Sequence, residues 1–119
     1  MVEGLVEPWD CRYEYTVGEE HVAEHLVRKG RMVLSTPCLV LMMERGARRC
    51  LDERLGITSV GYRVDVKHRS SAGLGEKIVV YARVYYWDGR RALVYVRAET
   101  PEGKLVGEGI NERFRLGEE

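Results

Sequence analysis

The stretch TPCLVLMMERGARRC, Thr36 to Cys50, limits the possible folds of this chain more than any other. From Pro37 to Met43 only Cys38 interrupts an otherwise apolar run, and the run ends on a carboxylate, Glu44. Thr36-Pro37 reads as a helix start, with a hydroxyl N-cap at Thr36 followed by proline at the first helical position. The helix is expected to continue to about Leu55, with Gly56 as its left-handed stop. That is about five turns, or about 28 Å. A helix apolar nearly all round in its first half must be sheathed by other elements. Its second half, ERGARRCLDERL, is amphipathic, so it enters a core at its start and meets solvent toward its end.

The rest of the chain supplies the sheath. CRYEYTV, from Cys11, reads as a strand. Thr16 and Glu19 have the spacing of a capping box, which predicts a short helix over GEEHVAEHLVRKG ending near Gly30. After Gly56 the pattern is all strand. Residues 57–69 alternate, placing Val60, Tyr62, Val64, Val66 and His68 on one face, read as inward. Residues 77–87 form a β-branched and aromatic run suited to burial on both faces. Asp88-Gly89 is a hairpin signal, residues 91–100 return, and residues 105–116 complete a meander. The fold class is α+β: an antiparallel sheet wrapped around one long central helix.

With 119 residues the chain fits a single domain. Its 19 basic and 19 acidic residues cancel, which removes the electrostatic footprint expected of a nucleic-acid binder. No apolar run reaches the length of a membrane span. The segment MVEGLVEPWD lacks the positive and apolar regions of an export signal, so a cytoplasmic location is expected. The absence of Gln, a single Asn (Asn111) and abundant charge suit a thermophile. Cys11, Cys38 and Cys50 include no CxxC, so neither a zinc site nor a disulfide is expected from their spacing.

Three motifs bear on chemistry. His21, Glu24 and His25 spell H-x-x-E-H, a zinc-protease signature. Nothing supplies the distant third ligand, and a surface helix with Val22 and Leu26 on its apolar side is the reading adopted; no metal is expected. GLGEK lacks the spacing of a phosphate loop and no helix follows it, so it reads as a turn. Glu44 is different. It is flanked by positions that periodicity buries, and an unpaired buried carboxylate is costly. An inward His68 and a hydroxyl at the helix start, Thr36, complete a set that core packing alone explains poorly.

STPCLVLMMERGARRC, TSVGYRVDVKH and GEGINERFRL together resemble the fluoroacetyl-CoA thioesterase-like family of hotdog-fold proteins, over about Tyr13 to Leu116. The specific elements are Thr-Pro with Glu eight residues after the Thr, Gly seven residues before a strand-terminal His, and a late Gly-x-x-x-Arg. The resemblance implies Thr36, Glu44 and His68 as the catalytic group, Gly61 with its backbone close to the thioester, and Arg113 as the late arginine. It implies an acyl-CoA substrate, with coenzyme A entering as part of the substrate and no separate cofactor. A homodimer with interfacial sites follows, its further pairing into a tetramer left open. Where family members often have Gly-Thr-His-x-Arg, this chain has Gly109-Ile110-Asn111-Glu112-Arg113. Fluoroacetate preference is therefore not implied.

Eight helical residues separate Thr36 and Glu44 by about 12 Å along the axis. The two are thus expected to meet across protomers, Glu44 of one facing Thr36 of the other. Burial is expected to raise the Glu44 carboxyl toward the range useful to a base. Two routes follow, of which activation of water by Glu44 is preferred over attack by Thr36 with His68 as base. Arg48, Arg49, Lys67, Arg69 and Arg113 are candidates for the coenzyme phosphates, and Leu34, Leu39, Met42 and Met43 for the acyl pocket. The rival readings are a non-catalytic acyl-CoA-binding or regulatory domain, and a structural domain in which Glu44 and His68 pair for stability.

Overall fold

The computed structural model describes residues 9–117. The stretch weighed for an export signal, apart from Trp9 and Asp10, lies outside them. Strand β1 (Cys11–Thr16) leads through a 3-10 turn (Glu19–His21) to a single helical turn, α1 (Glu24–Val27), and then to α2 (Thr36–Leu55). Strands β2 (Ser59–His68), β3 (Lys77–Trp87), β4 (Arg91–Glu99) and β5 (Leu105–Arg115) follow. They form one antiparallel sheet in the order β1-β3-β4-β5-β2. The expected α+β architecture holds, and no described helix is long and apolar enough to cross a membrane.

The core lies between α2 and one face of this sheet. Leu39, Met42, Met43, Ala47, Cys50 and Leu51 meet Ile78, Val80, Ala82, Ala92, Val94, Val96 and Ala98, all buried. Period-3.6 burial on α2 meets period-2 burial on β4, where every second residue is enclosed. The other face of the sheet is laced with charge: Glu112 lies between Arg63 and Arg91, and Arg69 pairs with Glu108. The hairpin that the Asp-Gly signal predicts is present, closed by Asp88 N–H donating to Arg91 O at 3.2 Å, and Asp88 Oδ1 accepts from the backbone of Arg90 (2.9 Å) and Arg91 (2.7 Å).

Four local expectations are corrected. Ser35, not Thr36, caps α2: its extended backbone (φ −77°, ψ 154°) lets its Oγ accept from the Cys38 amide at 3.2 Å. Thr36 is therefore the first helical residue, and its hydroxyl is released for other work. The predicted helix over residues 18–30 is broken, because Val22 bridges Leu34 and Ala23 N–H donates to Val33 O at 2.8 Å. Tertiary pairing with the segment before α2 wins over local propensity there, and Thr16 ends β1 paired with Lys77. In β2 a bulge between Gly61 and Arg63 breaks the alternation. Ser59, Gly61, Val64, Val66 and His68 face the helix side, while Val60 and Tyr62 lie on the opposite face near Phe114.

The fourth correction concerns the cysteines. Cys11 and Cys50 form a disulfide with Cα atoms 5.8 Å apart, and Cys38 is free. Spacing could not show this, because β1 is carried beside the second half of α2 only by its pairing with β3. The bond closes a loop of 39 residues between the outer strand and the core helix. Its reduction, or Cys50→Ser, should lower unfolding stability by about 3–4 kcal/mol on chain-entropy grounds. Urea unfolding with and without reductant measures this, and Cys38→Ser should leave the difference intact.

Candidate active site

The residues singled out from sequence fall into two groups, one at the start of α2 and one around Glu44 near its middle. At the helix start, Thr36 Oγ1 lies 2.7 Å from His68 Nδ1. α2 brings Thr36 there, and β2 brings His68 as its last residue, opposite Gly107 of β5. Gly107 leaves room for this crossing, since a Cβ on it would meet Leu39 Cδ2 at 2.8 Å and Met43 Sδ at 3.2 Å. The pair opens onto a cavity of about 860 Å³. Its apolar walls include Val22, Ala23, Leu26, Val33 and Leu34, with Ser70, Ser71 and Arg31 among the polar ones.

Burial holds the His68 imidazole below its usual pKa, with a backbone contact at Ser70 partly offsetting it. Its Nε2 is enclosed with no partner in the described chain. A neutral imidazole whose Nδ1 faces a hydroxyl is a proton acceptor for that hydroxyl. Thr36 also stands at the positive end of a 20-residue helix, which favours negative charge developing on Oγ1.

The second group surrounds Glu44. Arg113, 2% exposed, sends Nη1 toward Glu44 Oε2 at 3.4 Å and Asn111 Oδ1 at 3.3 Å. Its Nε donates to Ser59 Oγ at 2.8 Å and its Nη2 to the Ser59 carbonyl at 3.3 Å. Burial pushes the guanidinium below its usual pKa range, and the charges of Glu44 and Asp52 oppose that shift. A Cβ on Gly61 would lie 2.7 Å from Glu44 Oε2 and 3.3 Å from Arg113 Nη1, so glycine there makes space for the ion pair. The Glu44 side chain keeps 36% of its exposure. The burial that periodicity predicts for it is therefore only partial.

Thr36 and Glu44 do not meet within one chain: each has its own partner, His68 or Arg113. Arg69 bonds Glu108 through Nε at 2.8 Å and Nη2 at 2.7 Å, on the sheet face away from α2. Arg49 lies over the Tyr13 ring, and Arg48 and Lys67 are exposed. Of the four apolar candidates only Leu34 lines the cavity; Leu39, Met42 and Met43 are core residues. Reasoning from sequence missed Asp52, Ser59 and Asn111. The Ser59-x-Gly61 pairing opposite the late arginine is a signal only once the β2–β5 register is known.

If His68 must be neutral to accept a proton, activity should rise with pH through a midpoint below the ordinary imidazole value of about 6.5. The sign follows from burial, which disfavours the protonated form and keeps His68 neutral at lower pH. The pH dependence of kcat/KM checks this, and His68→Gln should abolish that acid limb.

Comparison with known proteins agrees with this fold. The family model described as FlK, fluoroacetyl-CoA-specific thioesterase, matches residues 17–119. A Thermus thermophilus thioesterase superfamily member shares 26% identity at TM-score 0.75, covering 92% of this chain and 83% of its own. A hot-dog-like protein from Thermanaerovibrio acidaminovorans shares 25% at TM-score 0.77, with 93% and 84% covered. The fluoroacetyl-CoA thioesterase FlK shares 24% at TM-score 0.75, with 89% and 84% covered. No curated protein matches the sequence. Since the family model spans most of the chain, this protein belongs to the FlK family of hotdog-fold thioesterases.

Proposed function

We propose that this protein hydrolyses acyl-CoA thioesters at sites completed by a second copy of itself. The observation that carries the reading is the 2.7 Å contact between Thr36 Oγ1 and His68 Nδ1 at the wall of an apolar cavity. In this reading His68 Nδ1 takes the Thr36 proton as Oγ1 attacks the thioester carbonyl. The C–S bond then breaks, His68 returns the proton to the departing thiolate, and an acyl-threonine remains. Water then attacks the acyl carbon while giving a proton to a Glu44 carboxylate; the bond from that carbon to Thr36 Oγ1 breaks, and the proton passes from Glu44 to Oγ1, which releases the acid and restores both groups. The Thr36–His68 bond supports attack by Thr36 over the water-only route preferred from sequence.

Completion by a second copy is supported by the shape of β2. It is an edge strand of 10 residues with Val60, Tyr62 and Val64 exposed at 47%, 69% and 37%. Such an edge invites pairing. Gly61 and His68 stand about 23 Å apart along it. Two antiparallel β2 strands about a two-fold axis near Val64 would set the Gly61 end of one beside the His68 end of the other. Glu44 would then approach Thr36 of the partner protomer.

The matching experiment is subunit complementation. Thr36→Ala and Glu44→Gln should each lower thiol release by about 10²–10⁴-fold. Mixed and re-annealed, they should recover activity, because each mixed dimer then holds one intact site. No recovery in proven mixed dimers would overturn a site shared between the two chains.

The apolar walls Val22, Leu26 and Val33 favour acyl groups longer than acetyl. Across a panel of straight-chain acyl-CoAs, kcat/KM should rise about three- to fourfold per added methylene until the cavity fills. Leu26→Trp should shorten the preferred chain. Absence of turnover across the panel, with coenzyme A still bound, would favour a non-catalytic acyl-CoA-binding role.

A further inference from the structure

Asp52 sits on α2 eight residues beyond Glu44, about 12 Å away along the axis, and cannot touch it. It reaches Glu44 by another path. Both of its carboxylate oxygens are spent on Ser59 of β2: Oδ1 accepts from Ser59 Oγ at 2.6 Å and Oδ2 from Ser59 N at 3.3 Å. Ser59 in turn accepts from Arg113 Nε and Nη2, and Arg113 Nη1 reaches Glu44. We propose that Asp52 and Ser59 are positioning residues for Glu44, acting through the buried Arg113. The proposal rests on the catalytic role given to Glu44 above.

Hydrogen-bond direction supports the assignment. A guanidinium only donates, so Ser59 Oγ must present a lone pair to it. Donation of the hydroxyl proton to Asp52 sets Oγ in that orientation. Two contacts from Ser59 then fix one edge of the guanidinium plane. Nη1 is left as the single group reaching Glu44, whose side chain is one-third exposed. A carboxylate so exposed, held by one 3.4 Å contact, is only as well aimed as the arginine behind it. The same donor-only chemistry turns Asn111 Oδ1 toward Arg113 and leaves its buried Nδ2 unpartnered. Asn111 therefore adds a third acceptor behind the ion pair. The clamp spans α2, β2 and β5, so relaxation at Asp52 is felt at Glu44 without movement of the helix.

The test is steady-state thiol release by full-length Asp52→Asn, Ser59→Ala and Ser59→Thr, each made in wild type and in Glu44→Gln, with thermal melts as the check on folding. In wild type, Asp52→Asn and Ser59→Ala should lower kcat about tenfold or more, with KM within about twofold, since misplacement of about 1 Å is costly. Ser59→Thr keeps the hydroxyl and should restore most of the rate. In Glu44→Gln neither change should lower kcat further, because the group they aim is gone. An equal fold-loss in both backgrounds would mark the pair as a structural staple and overturn the proposal. A Glu44→Gln enzyme with wild-type kcat would overturn it by a different route, by removing the catalytic role of Glu44. If Ser59→Ala fails to melt cooperatively, Asp52→Asn and Ser59→Thr carry the comparison.

Discussion

Leu39, Met43, Ala47, Cys50 and Leu51 have no exposed surface at all, and all five belong to one helix. Covering that much of α2 requires a sheet broad enough to wrap it, and β1, β3, β4 and β5 all contribute to the cover. The cost of leaving those side chains in water, about 1.5–3 kcal/mol each, dictates the architecture. It also dictates where chemistry can occur. The core-facing side of α2 is closed, so the polar groups noted on it stand at its start, where Thr36 meets a cavity, and at Glu44, whose side chain is partly exposed. The disulfide at Cys50 ties the outermost strand to the same helix at a third point.

The two groups of residues handle charge in opposite ways. Around Thr36 and His68 the surroundings are apolar and the groups neutral, which suits a proton that moves back and forth. Around Glu44 an ion pair is kept, with a guanidinium that is almost wholly enclosed. An enclosed charge is tolerated only when its donors are satisfied. Ser59, Asn111 and Glu44 together satisfy Arg113 on three sides. That arrangement contributes orientation more than stability: the same carboxylate without its arginine would be one more partly exposed side chain.

What was legible from sequence follows a clear line. The extent of α2, its Gly56 stop (φ 65°), the Asp88-Gly89 hairpin and the meander that follows α2 are written in periodicity and turn chemistry, which act over a few residues. Glu44 and His68 stood out because each is a polar group where its neighbours predict burial, and Thr36 because it is a hydroxyl at a helix start. Three decisions lay beyond that range. Whether Ser35 or Thr36 caps α2 is a choice between adjacent hydroxyls, made in favour of Ser35 while Thr36 lies against His68 of a distant strand. The bulge at Tyr62 is a mismatch of β2 against β5, and it turns Gly61 rather than Val60 toward Glu44. The break at Val22 reflects pairing with Leu34, which no local pattern contains.

The amino-acid sequence by itself therefore determined the buried helix, the sheet around it and the residue types able to act on a thioester, because hydrophobic period and turn preference are local properties. Only the tertiary structure decided which of those residues touch. It paired Thr36 with His68, set Glu44 against Arg113 and drew in Asp52 and Ser59, because strand register and side-chain direction depend on contacts between segments far apart in the chain.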